Sequence, residues 1–304
     1  LVFKPYTSND VLKYCYLTKI EVTSDNDITD TYTLDPTAET NTGALTGTGN
    51  GKKIELATIG SGAYANGFPL TNTSASLTTN GTYMVIKPGT HTLRIRYWVK
   101  DVATGVEGTI TKIIPSHTFA KNEYVNMEAD LQIKNYDGDH YYMWDAQEQY
   151  WKGYEWTKNL GAGVGQPTLG GQPAGNYPQS NADPRYYNTA FTNYADNKAT
   201  HSPCATLPNA NEMSWYCMFG DPRWDRDELW TTMGHLCKGG MWFKKKSVLL
   251  AEHHYDTEKS ADGSTDMRTT FNTSYTNNSS SINSGLPSAA DANKYFYLPA
   301  LGYY

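Results

Sequence analysis

The segment Val125–Ile133 alternates strictly between apolar and polar residues. A period of two places the apolar side chains on one face of a β-strand and the polar side chains on the other. The segment His91–Lys100 repeats the pattern, with Arg94 and Arg96 expected on the outward face. Both segments predict strands of a sheet that is buried on one face and faces outward on the other.

Turn residues separate further strand-like segments in the first 134 residues. Pro88-Gly89 lies between Tyr83–Lys87 and the strand at 91–100, and it predicts the turn of an antiparallel hairpin. Other strands are predicted at residues 14–22, 52–58 and 106–114, with loops rich in Thr, Asn, Gly and Asp between them. We therefore predict an N-terminal antiparallel β-sandwich over residues 1–135.

The composition changes near Tyr136. Seven Tyr and Trp residues lie between positions 141 and 156. Two polar stretches, 159–184 and 252–294, have few apolar residues and are predicted to be surface excursions. The sequence thus predicts a mainly β protein in which an irregular α+β domain at 136–304 follows the sandwich.

One helix is predicted in this second part. Asn209 supplies the N-cap, and Glu212 at the third helical position completes a capping box. Gly220 is the expected kind of residue at the end, and Met213 and Tyr216 share the apolar face. Buried strands are predicted at residues 240–243 and 295–298.

The charge balance excludes nucleic acid as a partner. The chain has 25 Lys and Arg against 31 Asp and Glu, a net charge of −6, and it lacks the basic surface that phosphate backbones require. No run approaches 18 consecutive apolar residues, so no membrane-spanning segment is predicted. We interpret the chain as mature or trimmed, which leaves lipid anchoring through a preceding segment open.

The order of an opening strand at Leu1–Lys4, a strand at Tyr16–Val22 and the segment Asp30–Leu34 resembles the fimbrillin family of surface pilus proteins from gut Gram-negative anaerobes. The second part resembles the FISUMP domain, which is similar to a C-type-lectin-like fold. That likeness rests on the segments Tyr142–Ala146, Tyr150–Glu155, Leu207–Met213, Gly220–Asp225, Gly239–Lys245 and Tyr295–Ala300.

These resemblances imply an extracellular protein of the cell surface, a fimbrium or the outer membrane. The expected function is a non-enzymatic adhesin, or an accessory or tip fimbrial subunit. Its partners would be other fimbrial subunits, joined by strand exchange, and a glycan or a host or bacterial surface protein. Residues 1–135 would serve assembly and residues 136–304 would contact the ligand. Two alternatives remain open: a surface glycan-binding lipoprotein for nutrient capture, and a secreted enzyme on a lectin-like scaffold.

Aromatic residues are the candidates for ligand contact, because flat rings pack against the faces of pyranose sugars. Nearby Asp145, Glu148 and Glu155 offer acceptors for sugar hydroxyl groups. The alternative is that many of these rings form the hydrophobic core. The candidate ligand-binding residues are Trp144, Trp151, Tyr154, Trp156 and Trp224.

Neither metal nor catalytic chemistry is expected. The chain lacks the Glu-Pro-Asn and Gln-Pro-Asp triplets of calcium-dependent lectins, and the adjacent His253 and His254 do not have the spacing of a zinc site. Cys204 has His201 three residues before it, which leaves a thiol nucleophile open. The simpler interpretation is a disulfide between Cys204 and Cys217, with twelve residues between them. No cofactor is expected.

Overall fold

The computed structural model describes residues 1–35, 37, 44–47, 51–136, 138–168, 175–190, 199–270 and 274–301, and it is mainly β, as predicted. The strands are β1 Val2–Tyr6, β2 Tyr16–Ser24, β3 Tyr32–Asp35, β4 Ala44–Gly47, β5 Lys53–Ala57, β6 Phe68–Pro69, β7 Thr82–Tyr83, β8 Gly89–Lys100, β9 Glu107–Phe119, β10 Asn126–Asp130, β11 Arg223–Thr232, β12 His235–Lys244 and β13 Tyr295–Pro299. The helices are α1 Leu77–Asn80, α2 Ser202–Ala205, α3 Ala210–Phe219 and α4 Lys246–Ala251.

Most strands belong to one eight-stranded sheet. Its order is β13-β12-β11-β9-β8-β2-β5, and β6 pairs with the start of β2. A three-stranded sheet has the order β10-β1-β7, and β3 pairs with β4. Two pairs are parallel, β1 with β10 and β9 with β11. The sheets are therefore mixed, whereas the sequence predicted antiparallel pairing for the strands of residues 1–135, where β1 and β10 are parallel.

The two period-two segments form β8 and β10, and strands also form at or near the other predicted places as β2, β5, β9, β12 and β13, whereas of the segment Tyr83–Lys87 only Tyr83 lies in a strand. The predicted hairpin around Pro88-Gly89 is wrong, because β7 pairs with β1 and not with β8. The Met84 N–H donates to the Leu1 carbonyl at 3.0 Å, and the Lys87 N–H donates to the Ile28 carbonyl at 2.7 Å. These bonds hold the segment before Gly89 away from β8.

The two main sheets share one hydrophobic core. Phe3 in β1 packs edge-on against Tyr97 in β8, with 6.3 Å between the ring centroids, and both side chains are fully buried. The inward residues of β2, β8 and β10 join them, as the alternation predicted. Leu229 in β11 and Leu236 in β12 belong to the same core. Apolar burial therefore continues past residue 135 into the C-terminal strands.

The eight-stranded sheet also continues across the predicted domain boundary. Strand β11 pairs in parallel with β9, where Glu228 lies opposite Thr109. Three residues further on, the Tyr136 N–H donates to the Thr231 carbonyl at 2.8 Å, and the Thr231 N–H donates to the Lys134 carbonyl at 3.1 Å. The division at residue 135 remains a prediction, and one sheet runs through it.

The capping box of α3 is confirmed. The Asn209 side chain accepts from the Glu212 N–H at 2.9 Å, and the Glu212 carboxylate accepts from the Asn209 N–H at 2.7 Å. The predicted apolar face is wrong, because Met213 is exposed whereas Asn211 and Trp215 are buried. The Asn211 amide and the Trp215 indole donate to carbonyls of residues 257 and 259. Part of the polar stretch 252–294 is therefore fastened to the helix.

None of the helices in the described part of the chain has the length and apolar character needed to cross a bilayer.

Candidate ligand-binding site

The structure separates the predicted ligand-binding rings into buried and exposed ones. Trp151 is only 2% exposed and packs edge-on against Tyr150, so its ring has no surface to offer a ligand. Trp144 and Trp224 are 42% and 40% exposed. Tyr154 and Trp156 are half-buried. Sequence reasoning cannot distinguish these cases, because a ring-rich segment supplies both core and surface.

We call residues 141–156, which contain seven Tyr and Trp residues, the aromatic segment. An open cleft of about 560 Å³ lies beside it. Tyr154 is the one predicted ligand-binding residue that lines it. The other lining residues come from the end of the Gly-, Pro- and Asn-rich stretch at 159–184, which the sequence predicted as a surface excursion, together with Arg185 directly after it. They are Gly175, Asn176, Tyr177, Gln179, Ser180, Ala182, Asp183, Pro184 and Arg185.

Arg185 fixes the shape of the cleft. Its guanidinium donates to both carboxylate oxygens of Asp183, at 3.0 Å from Nε and 2.7 Å from Nη2. Its Nη1 donates to the carbonyls of Tyr150 and Asn176 at 3.2 and 3.0 Å. The guanidinium also lies over the Tyr154 ring, 5.4 Å from its centroid. One side chain thus connects the aromatic segment to both ends of the cleft-forming loop.

The electrostatics of the cleft follow from this pairing. The hydrogen bond from Arg185 lowers the pKa of Asp183 below its usual range, and the same bond raises the pKa of Arg185. Both groups are therefore ionised at neutral pH, and their charges compensate each other at close range.

Backbone groups of the aromatic segment hydrogen-bond to the loop that forms the cleft. Tyr141 and Tyr150 stack with 5.0 Å between ring centroids. The N–H groups of Gln147 and Glu148 both donate to the Pro184 carbonyl at 3.1 Å. Pro184 therefore lines the cleft on one side and is anchored to the ring-rich segment on the other.

One of the acidic residues near these rings, Asp145, bonds to the protein's own backbone. Asp145 is fully buried and accepts from the N–H groups of Thr200 and His201 at 2.7 and 2.8 Å. Burial alone would raise its pKa, but hydrogen bonds from Thr200 and Asn188 outweigh burial and lower it. The expectation that Asp145 accepts from a sugar is wrong, because neighbouring donors already occupy both of its oxygens.

None of the candidate tryptophans lines the cleft, and two of them, Trp156 and Trp224, pack against glycines of the β11–β12 hairpin. The Trp224 ring lies over Gly239, where a Cβ atom would stand 3.3 Å from the ring. The Trp156 ring lies equally close to Gly234. Gly234 and Gly239 both have positive φ, 75° and 97°. A side chain at either position would strain the backbone and displace the ring.

The proposed disulfide is not formed. All four cysteines are free thiols. Cys204 is buried in α2, and the Cys217 sulfur instead lies 3.6 Å from the Tyr275 carbonyl. His201 Nδ1 contacts the Asp145 carbonyl at 2.6 Å, so this ring nitrogen is not directed at a thiol. Within the described ranges, no three His, Cys, Asp or Glu side chains cluster as metal ligands would.

A cluster of five polar and charged side chains, which sequence reasoning missed, lies where β9 meets β11. We call Arg96, Thr109, Thr111, Asp225 and Glu228 the junction cluster. Arg96 was expected to face outward, yet it is only 6% exposed, and it donates to Asp225 at 2.9 and 3.1 Å. It also bonds Thr109, which in turn donates to Glu228 at 2.9 Å. The expectation for Arg96 is wrong because it reaches across β9 to a carboxylate in β11.

Glu228 is the most perturbed acid of the junction cluster. Thr111 donates to it twice, from its N–H at 2.9 Å and from its hydroxyl at 2.6 Å. Burial nevertheless raises the pKa of Glu228 to about 7. A perturbed acid of this kind is a signature of catalytic sites when it faces a cleft. Here protein side chains from three strands enclose it, and it does not line the cleft at Tyr154.

No family model, no curated protein and no solved structure matches the chain.

Proposed function

We propose that this protein is a non-enzymatic cell-surface adhesin, or an accessory or tip fimbrial subunit. It contacts a glycan or a surface protein through its C-terminal part. The observation that supports this proposal is the open cleft between Tyr154 and residues 175–185, which combines aromatic rings with polar side chains. Shape and chemistry of this kind suit recognition, since flat rings and amide groups contact a ligand without transforming it.

In this proposal residues 1–135 form a β-sandwich that serves assembly, and residues 136–304 form a C-type-lectin-like head. The exposed aromatic residues of the C-terminal part support this arrangement. Within the described part of the chain β5 and β7 lie at sheet edges, and an edge strand can accept a strand from another subunit. The protein would then act outside the cell, at a fimbrium or the outer membrane.

The adhesin proposal predicts capture of defined surface components by the full chain. Immobilised protein should retain fimbrial subunits from a surface extract, identified by mass spectrometry, and should bind a glycan array or a panel of purified surface proteins. Glycan binding with no retention of fimbrial subunits would favour the nutrient-capture alternative. The absence of binding in all of these assays would contradict the proposal.

Arg185→Ala should weaken the binding of the glycan or surface protein. The change removes the bonds to Asp183, Tyr150 and Asn176 together, so the cleft loses its shape and the affinity should fall by at least about tenfold. Biolayer interferometry with the captured component measures the loss. Lys152→Ala is the matched control, because it removes an exposed cation next to the aromatic segment and leaves the cleft lining intact. Equal losses in both variants would contradict a role for the cleft.

A further inference from the structure

The charges of the cleft are balanced. Among the described residues, Asp183 and Arg185 are the only charged ones that line the cleft, and their side chains pair with each other through three hydrogen bonds. An anionic ligand needs a cation with donors to spare. Arg185 donates four of its five N–H groups, two to Asp183 and one each to the Tyr150 and Asn176 carbonyls. The cleft therefore offers little to a carboxylate or a sulfate.

The uncharged polar groups of the cleft remain available. Gln179 and Ser180 are exposed, and neither side chain makes a hydrogen bond within the described part of the chain. The Asp183 carboxylate, in contrast, is fully used by Arg185, because each of its oxygens already accepts two hydrogen bonds from that residue. The side chains of Gln179 and Ser180 match hydroxyl groups, which donate and accept at the same atom.

Two tyrosine rings line the cleft, one covered by Arg185 and the other partly exposed. The guanidinium of Arg185 lies over Tyr154, so this ring positions Arg185. Tyr177 is 36% exposed. An exposed ring beside hydroxyl-binding groups matches the two sides of a sugar, whose C–H face is apolar and whose edge carries hydroxyls.

From these three observations, we infer that the cleft binds an uncharged carbohydrate, with the sugar stacked on Tyr177 and its hydroxyl groups bonded to Gln179 and Ser180. This inference rests on the proposed function and names its ligand class. A peptide ligand would find no apolar groove here, because the lining is mainly polar and open.

Tyr177→Ala should weaken the binding of neutral sugars by about tenfold or more through the loss of stacking. The probe is a glycan array with neutral hexose- and hexosamine-terminated oligosaccharides beside uronic acid- and sialic acid-terminated ones. Titration of the best neutral ligand then gives the affinity. Tyr187→Ala is the matched control, because Tyr187 is similarly exposed, contacts the Tyr186 ring and does not line the cleft. Equal affinities of the Tyr177→Ala and wild-type proteins for neutral sugars would overturn the inference.

Asp183→Asn should change the ligand class. The amide keeps the size of the carboxylate but leaves Arg185 as an uncompensated cation, so uronic acid-terminated glycans should gain at least about tenfold in affinity relative to neutral ones. A melting curve establishes that the variant is folded. Preference of the wild-type protein for acidic glycans, or binding of a purified surface protein alone that depends on Tyr177, would overturn the neutral-sugar inference and leave the adhesin proposal standing. No binding of glycan or protein would overturn both.

Discussion

Arg96→Ala lowers the free energy of unfolding by about 3–5 kcal/mol, the cost of removing one partner from a buried ion pair. The change leaves Asp225 and Glu228 buried without their cation, and it also leaves Thr109 without the donor that bonds its hydroxyl. Because Glu228 and Thr109 form the one registered pair between β9 and β11, the loss falls where the C-terminal strands join the sheet. Chemical denaturation followed by tryptophan fluorescence measures it.

The control is Arg226→Ala, on the same strand as Asp225, where the side chain is 83% exposed and the expected change is within about 0.5 kcal/mol. A second variant tests the mechanism. Adding Asp225→Asn and Glu228→Gln to Arg96→Ala removes the two buried carboxylates that would otherwise lack a cation, and it should restore part of the lost stability. A loss below about 1 kcal/mol for Arg96→Ala, or no recovery in the triple variant, would show that the junction cluster does not hold β11 to β9.

Glu228→Gln should remove a pH dependence that the wild-type protein shows between about pH 4.5 and 7. The pKa of Glu228 is raised by burial from 4.5 to about 7, so the folded protein binds a proton more tightly than the unfolded chain does. Its contribution to stability is complete below pH 4.5 and is lost as the pH rises through about 7. A shift of this size corresponds to at most about 3 kcal/mol. Glutamine has the shape of the protonated acid and does not titrate.

The measurement is the free energy of unfolding of both proteins from pH 4 to pH 8. Other carboxylates act in the opposite direction at lower pH. Asp183, for example, has a lowered pKa and loses its contribution as the pH falls. Both proteins contain these other carboxylates, so their contributions cancel when the free energy of unfolding of the variant is subtracted from that of the wild-type protein. A difference that stays constant over this range would contradict the raised pKa of Glu228.

The candidate site was visible in the sequence only in part. Tyr154 was predicted from the concentration of rings, because aromatic side chains are common wherever proteins contact ligands. Asp183 and Arg185 were missed because they lie in a Gly-, Pro- and Asn-rich stretch that gives no periodic signal. Their spacing, with one proline between them, was the available hint. What makes them a site is their bond to each other and to carbonyls up to 35 residues away.

Local patterns in the sequence determined which segments became strands and helices. The alternation at 91–100 and 125–133 and the capping box at Asn209 and Glu212 act over a few residues, so the chain itself carries the information. Only the tertiary structure decided that β7 joins β1, that β9 meets β11 in parallel, and that Arg96 is buried. Strand partners and buried ion pairs depend on residues far apart in the chain, here up to 129 positions, and no local pattern encodes such distances.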